Sequence, residues 1–235
     1  DLMIDINSIL FDFDNTLVDT HKLILKADRY IFKSISLKYG VKISDLMSAY
    51  NIFREKYRIN SPDHNRGYWL NKILNYVGLK VDDSDIQKYN DIFYDFLISK
   101  QKLVPYAKKF IIKLKEDGKK VAVVSSGDAI HGFKEKRIRS LGLDKYLDLI
   151  VVGKETYNIS KDDPKLFISI AKQLNEDPNN IMMVGDDLEF DIKSAKMAGM
   201  KTVWITSNKE NSDYADFTFE NIKSMFNWYI SMYKR

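Results

Sequence analysis

The 235-residue chain contains no cysteine. That absence excludes disulfides, thiolate metal sites and a cysteine nucleophile. Histidine is scarce, and His21, His64 and His131 show no metal-ligand spacing, so an imidazole-built metal site is not expected. No apolar run approaches the roughly 20 residues that a membrane span needs. No charged-then-apolar signal segment is visible at the start. A cytoplasmic protein that meets no membrane is the resulting expectation. Charge of one sign is also in short supply. A net charge of +4 is too weak to argue for a nucleic-acid partner, and none is expected, yet it would not repel a small anion. Internal repeats and low-complexity tracts are absent.

What the chain does have is an ordinary globular balance, 45% hydrophobic and 30% charged. Five short β-branched or apolar runs stand out: Ile9–Phe13, Val121–Val124, Leu147–Val152, Ile181–Val184 and Thr202–Ile205. Near-continuous apolar character over four to six residues is how strands covered on both faces read. Helical patterns separate the later runs: Ala107–Asp117, Ile130–Leu141, Lys165–Leu174 and Phe190–Ala198. Gly118, Gly142 and Gly199 each follow such a pattern, where a C′ glycine belongs. Strand alternating with helix predicts a parallel, doubly wound, Rossmann-like α/β sheet. The C-terminal stretch from Asn221 reads as an amphipathic helix packed on that sheet, with Ile222, Met225, Phe226, Tyr229 and Ile230 on one side.

The first gap breaks the alternation. About a hundred residues separate the first strand from the second, with apolar residues at helical spacing throughout: Leu23, Ala27, Tyr30, Ile31, Ile35, then Leu46, Tyr50, Phe53, Tyr57. Ser61-Pro62 reads as an N-cap and N1 pair opening a helix with Trp69, Ile73 and Val77, and Ile86, Tyr89, Phe93, Phe96 and Leu97 make a fourth. Four helices inserted in one sheet predict an all-α subdomain over residues 18–103, with the α/β core formed by 1–17 and 104–235. The aromatic stripes are most simply the core of the helical part.

Ligands of open parallel sheets bind at the carboxyl ends of the strands. After the first strand come Asp12, Asp14 and Thr16 in "DFDNTLVD". Two carboxylates this close repel unless a cation stands between them, and Mg²⁺, a hard oxygen-seeking ion, suits them. A plain Asp/Asn turn is the bland alternative. After the second strand, "VVSSG" offers Ser125 and Ser126 beside Gly127, a turn able to cradle phosphate oxygens. After the third comes "SKDDPKLF", with Lys161 ahead of an Asp163-Pro164 cap. After the fourth, "VGDDLEFDI" gathers Asp186, Asp187 and Asp191. Helix N-termini attract one or two acids through the macrodipole, but three within six residues exceed a cap's needs.

In that order, and with the helical insert after the first, these stretches resemble the four motifs of the haloacid dehalogenase-like hydrolase superfamily, and the insert resembles its C1-type cap. "LGLDKYLDLIV" is similar to the stretch before the family's third strand. Departures are small: Asn15 stands where many members have Gly, Ser125-Ser126 where Thr-Asn is frequent, and Asp162 where Pro is. The resemblance implies a phosphatase acting on a small phosphorylated metabolite, with Asp12 as nucleophile and Asp14 as general acid/base. Mg²⁺ would be held by Asp12, the Asp14 backbone carbonyl and Asp186. Lys161, Ser125 and Ser126 would bind phosphoryl oxygens, with Asp187 or Asp191 in support. An acid at Asp14 favours phosphate esters over halides, because halide leaves without a proton and the family's dehalogenases lack that acid. A phosphomutase would need the same core residues, and a non-catalytic binding protein would have no use for all of them. In this family the cap supplies specificity, which makes Arg54, Lys56, Arg58, His64, Arg66 and Trp69 candidates. Each is read first as a solvated or packed residue.

Overall fold

The structure, a computed structural model, describes residues 6–57, 66–208 and 211–232, with no side-chain detail for 54–57. The Ser61-Pro62 pair, Arg58, His64 and the side chains of Arg54 and Lys56 therefore lie outside the described residues. The chain divides into two compact units, one of residues 1–19 and 102–235, the other of Thr20–Gln101. Each seam lies two residues into the insert from the expected limits. Val18 bridges Leu103, and the Val104 N–H donates to the Leu17 carbonyl at 2.8 Å, so both crossing strands belong to the α/β unit.

Among the described residues, six strands form one sheet in the order β3-β2-β1-β4-β5-β6, every neighbouring pair parallel. They are β1 (Ser8–Phe11), β2 (Lys120–Ser125), β3 (Leu149–Val152), β4 (Ile181–Gly185), β5 (Lys201–Ile205) and β6 (Phe217–Phe219). The first five match the apolar runs to within two residues at every end. β6 was not legible, because three residues without continuous apolar character give no strand signal.

Side chains alternate between the faces, as a pleat requires. Ile9, Phe11, Val121, Val123, Met182 and Val184 share one core cluster with Phe110 and Ile111 of α5 (Ala107–Glu116). Ile222, Met225, Phe226 and Tyr229 of α10 (Ile222–Met232) join it, as expected of the C-terminal stretch. Leu10, Ala122, Val124, Ile181 and Met183 face the other way, onto Leu166, Phe167 and Ile170 of α8 (Pro164–Leu174). Helices thus cover both faces, and the strands are apolar on both sides for that reason.

Local chemistry sets several boundaries. Gly118, Gly142 and Gly199 adopt positive φ after their helices. The Asp163 carboxylate accepts from the Lys165 N–H at 2.9 Å, with Pro164 as the first residue of α8. Two helical patterns resolve differently from expectation. The run from Ile130 begins as helix only at α6 (Phe133–Ser140), after Gly132 at φ 76°. The run from Phe190 divides into a wide turn over Leu188–Lys193, with the Ile192 N–H reaching back to the Asp187 carbonyl, and a short α9 (Ser194–Met197). A five-residue helix, α7 (Gly153–Tyr157), stands between β3 and Lys161.

The other unit consists of α1 (Thr20–Tyr39), α2 (Ile43–Tyr57), α3 (Arg66–Tyr76) and α4 (Asp83–Lys100). Leu23, Ala27, Ile31, Ile35, Leu46, Ile73, Ile86, Phe93 and Leu97 are buried in it, so the helical stripes do form its core. Tyr30 is the exception: it is exposed and lies against the Phe96 ring. Arg66 pairs with the fully buried Asp28 and lies 3.5 Å from the centroid of the Phe93 ring. Trp69 sits edge-on to Tyr68, partly buried.

Candidate active site

The register of the sheet makes the site. Phe11, the last residue of β1, lies level with Val123 of β2 and Val184 of β4. Asp12 follows directly, and Ser125 and Asp186 stand two positions beyond Val123 and Val184, so all three emerge along one edge. The Asp12 N–H extends the ladder by donating to the Val184 carbonyl at 2.8 Å. The strand order reverses direction about β1 and β4, the place where open α/β sheets bind ligands.

Asp12 is buried, and its Oδ1 pairs with Lys161. Lys161 Nζ also lies 2.5 Å from Asp191 Oδ1. Asp12, Asp186 and Asp191 each bring a carboxylate oxygen within 4.8 Å of the others. Thr16 Oγ1 donates to Asp186 Oδ1 at 3.3 Å, and Trp204 Nε1 on β5 donates to the Asp186 carbonyl at 2.9 Å. The left-handed Asn15, φ 61°, turns the chain back so that Thr16 reaches this edge. The wide turn after β4 brings Asp191 home: its Oδ2 accepts from the Asp187 N–H at 3.0 Å, and its side chain lies over Gly185. A methyl on Gly185 would stand 2.5 Å from Asp191 Cβ and Cγ, so only glycine fits there.

Three carboxylates crowd together around one ammonium, which pairs with two of them, and their protonation reflects it. Burial pushes Asp12 up, against the pull of Lys161. Burial, then the charges of Asp12 and Asp191, raise Asp186 to about 8. Burial raises Asp191 to about 7, with Lys161 opposing. Burial alone would lower Lys161, but Asp12 and Asp191 outweigh it and hold the ammonium above its usual range. Excess buried negative charge, presented as oxygen donors only, is the donor set of a hard divalent cation. The residues present fit Mg²⁺.

The remaining expected residues fall in distinct places. Ser125 is buried, its hydroxyl donating to the Ser126 carbonyl at 3.1 Å, while Ser126 is exposed on the loop that follows. Asp187 stands apart from the acid cluster: its Oδ1 caps the Glu189 and Phe190 N–H groups at 2.9 Å. Asp14 directs its carboxylate elsewhere, onto Lys134 and Arg137 of α6. Those two cations and Asp128, which they also pair with, were missed by sequence reasoning. The available signal was slight: Lys134 and Arg137 share the face of α6 that carries the buried Phe133 and Ile138. Glu155 of α7 braces the Ser126–Gly132 loop, accepting from the Gly132 N–H at 2.9 Å.

Comparison with known proteins agrees with this geometry. The family model for haloacid dehalogenase-like hydrolases matches residues 6–199. The glyceraldehyde 3-phosphate phosphatase of Pyrococcus furiosus is 30% identical over 94% of this chain and 91% of its own. The enzyme of the same name from Methanopyrus kandleri is 28% identical over 94% and 95%. Among solved structures, a haloacid dehalogenase-like phosphatase from Thermococcus onnurineus superposes with a TM-score of 0.65 at 21% identity, covering 95% of this chain and 98% of that one. A 2-haloacid dehalogenase from Pseudomonas syringae gives 0.64 at 22%, covering 97% and 99%. At those identities the structural likeness speaks for the fold. The chain belongs to the haloacid dehalogenase-like hydrolase family. It is an enzyme of the phosphatase type. Among the described residues, no helix is long and apolar enough to cross a membrane.

Proposed function

We propose that the protein is a Mg²⁺-dependent phosphatase that hydrolyses a small phosphomonoester through an aspartyl-phosphate on Asp12. The observation that carries this reading is the acid cluster of Asp12, Asp186 and Asp191 at the strand edge, with Lys161 bridging Asp12 and Asp191. Asp12 attacks phosphorus as the bond to the leaving oxygen breaks, and Asp14 gives that oxygen its proton. Asp14 then takes a proton from the water that attacks the aspartyl-phosphate, which frees inorganic phosphate and restores Asp12. Lys161 and the Ser125 hydroxyl hold phosphoryl oxygens, with Ser126 beside them at the loop. Asp12, Asp186 and the backbone at Asp14 would hold the cation, and Asp191 orients Lys161 while lying close enough to act on the ion's shell. When bound, the metal neutralises charge on the phosphoryl group. Asp187 supports the site through the turn it caps. The helical unit is the cap of this enzyme, and residues 1–19 and 102–235 its catalytic core.

The relatives' shared name puts triose phosphates first among candidate substrates, followed by other sugar phosphates, phosphoglycolate and nucleotides. The test is phosphate release from a phosphometabolite panel, with and without Mg²⁺, by wild type and Asp12→Asn. Release that needs Mg²⁺ and vanishes in Asp12→Asn is the expected result. Full activity in Asp12→Asn would refute the nucleophile. Isomerised sugar phosphate without net phosphate release would mark a mutase instead.

A further inference from the structure

We infer that Glu155 of α7 is a positioning residue that sets the phosphate-binding loop after β2, through the reach of its side chain rather than its charge. The inference deepens the phosphatase reading above and rests on it. Sheet register brings helix and loop together. Ser125 lies level with Val152, so α7 starts one residue later, beside the loop that leaves β2. Gly153, its first residue, is close to both phosphate-binding segments: a methyl there would stand 3.7 Å from the Ser125 carbonyl oxygen and 3.9 Å from the Lys161 backbone nitrogen. The Glu155 carboxylate then spans the loop. Its Oε2 accepts from the Gly132 N–H at 2.9 Å, and its Oε1 would lie 2.8 Å from a methyl on Gly127. One side chain thus lies against the loop near its start and holds its end.

An acid in the first turn of a helix ordinarily offsets the dipole from solvent, or reaches back to the N-cap N–H in a capping box. Neither describes Glu155. The Val152 N–H donates to Thr156 Oγ1 instead, at 2.9 Å, and the Glu155 side chain is only 16% exposed, turned across to another segment. The loop needs such a hold. Ser126, Gly127, Ala129, Ile130 and His131 are exposed, and Gly132 leaves in the left-handed conformation at φ 76°. A segment with so little burial takes its order from a few polar contacts. Asp128 is anchored by Lys134 and Arg137 of α6, and Glu155 fixes the glycines on either side of it. Because α7 also leads into the Lys161 segment, it sets the hydroxyl loop and the lysine in one frame.

The experiment compares the full-length wild type with Glu155→Gln, Glu155→Asp and Glu155→Ala, in Mg²⁺, on p-nitrophenyl phosphate. It reads kcat, KM, competitive inhibition by inorganic phosphate, hydrogen exchange of peptides spanning Ser126–Gly132, and melting midpoints. Gln keeps an acceptor oxygen at the same reach without the charge. Asp keeps the charge but falls one methylene short, and it preserves the test if the Ala variant fails to fold. The inference expects KM and the phosphate inhibition constant to rise about tenfold in the Asp and Ala variants, with kcat falling less. Exchange of the loop should quicken in the same two variants, while Gln stays within about threefold of wild type in every constant. Lower melting midpoints with KM and the inhibition constant unchanged would reduce Glu155 to a structural residue and overturn the inference. A Gln variant impaired as much as the Asp variant, or more, would overturn it as well. Each of those results leaves the phosphatase reading intact. No phosphate release by wild type, from this ester or from the metabolite panel, would overturn that reading and the inference with it.

Discussion

Asparagine at position 186 removes one of the three clustered charges and little else. The Thr16 hydroxyl still finds an oxygen acceptor, and Trp204 bonds the backbone carbonyl, which the substitution spares. The Asp186 carboxyl is held near 8, against an ordinary value of about 3.9, by burial and by the charges of Asp12 and Asp191. A carboxyl whose pKa is raised on folding takes up a proton as the chain folds. Its contribution to stability is therefore complete below about 4 and is lost as pH climbs toward 8. At about 1.4 kcal/mol per unit, the gap sets a ceiling on the order of 5 kcal/mol. Asp186 is partly exposed, and solvent screening reduces this to about 2–3 kcal/mol. In chelator, at about pH 8, metal-free Asp186→Asn should thus melt roughly 5–10 °C above wild type, while at about pH 5, still above the unfolded value, the gap should shrink to roughly a third of that. Excess Mg²⁺ should raise the wild-type midpoint at the higher pH and leave the variant almost unmoved. Calorimetry or circular dichroism melts read both. If Asp186→Asn melts below wild type by the same margin at both pH values, repulsion among the acids is not what the cluster contains.

Two further outcomes follow from the same cluster. Lys161→Met should destabilise the α/β unit by about 3–5 kcal/mol in the metal-free state, because Asp12 and Asp191 lose their shared partner; denaturant melts measure this, and excess Mg²⁺ should recover part of it. Gly185→Ala should displace Asp191, lowering the melting midpoint and weakening the Mg²⁺-induced shift by at least tenfold in midpoint concentration, an effect absent from a control alanine at the exposed loop residue Ser126.

Where local chemistry decides structure, the sequence was legible. The apolar runs of β1 to β5, the glycines after α5 and α6, Asn15 in its left-handed turn and the Asp163-Pro164 start of α8 each follow from a few adjacent residues. Lys161, by contrast, could be placed only through the family pattern, since α7 separates it from β3. The spacing of Asp187 and Asp191 did not tell which would reach the acid cluster; the wide turn between them does, by sending one to cap the chain and the other back over Gly185. Lys134 and Arg137 were illegible for a different reason. A buried cation depends on its acid, and Asp14 stands 120 positions from Lys134 along the chain.

The strand at the centre of the sheet is also the earliest to be synthesised. Ser8 pairs with Lys120 on one side and Ile181 on the other, so β1 waits for more than a hundred residues before either neighbour exists. At translation rates of about 5–20 residues per second, that is a delay of roughly 5–20 seconds for a bare apolar segment. The helical unit between them has no such dependence, being built from one continuous stretch with its own core. Synthesis therefore favours a nascent chain that is ordered in its middle while its first strand remains a client for chaperones.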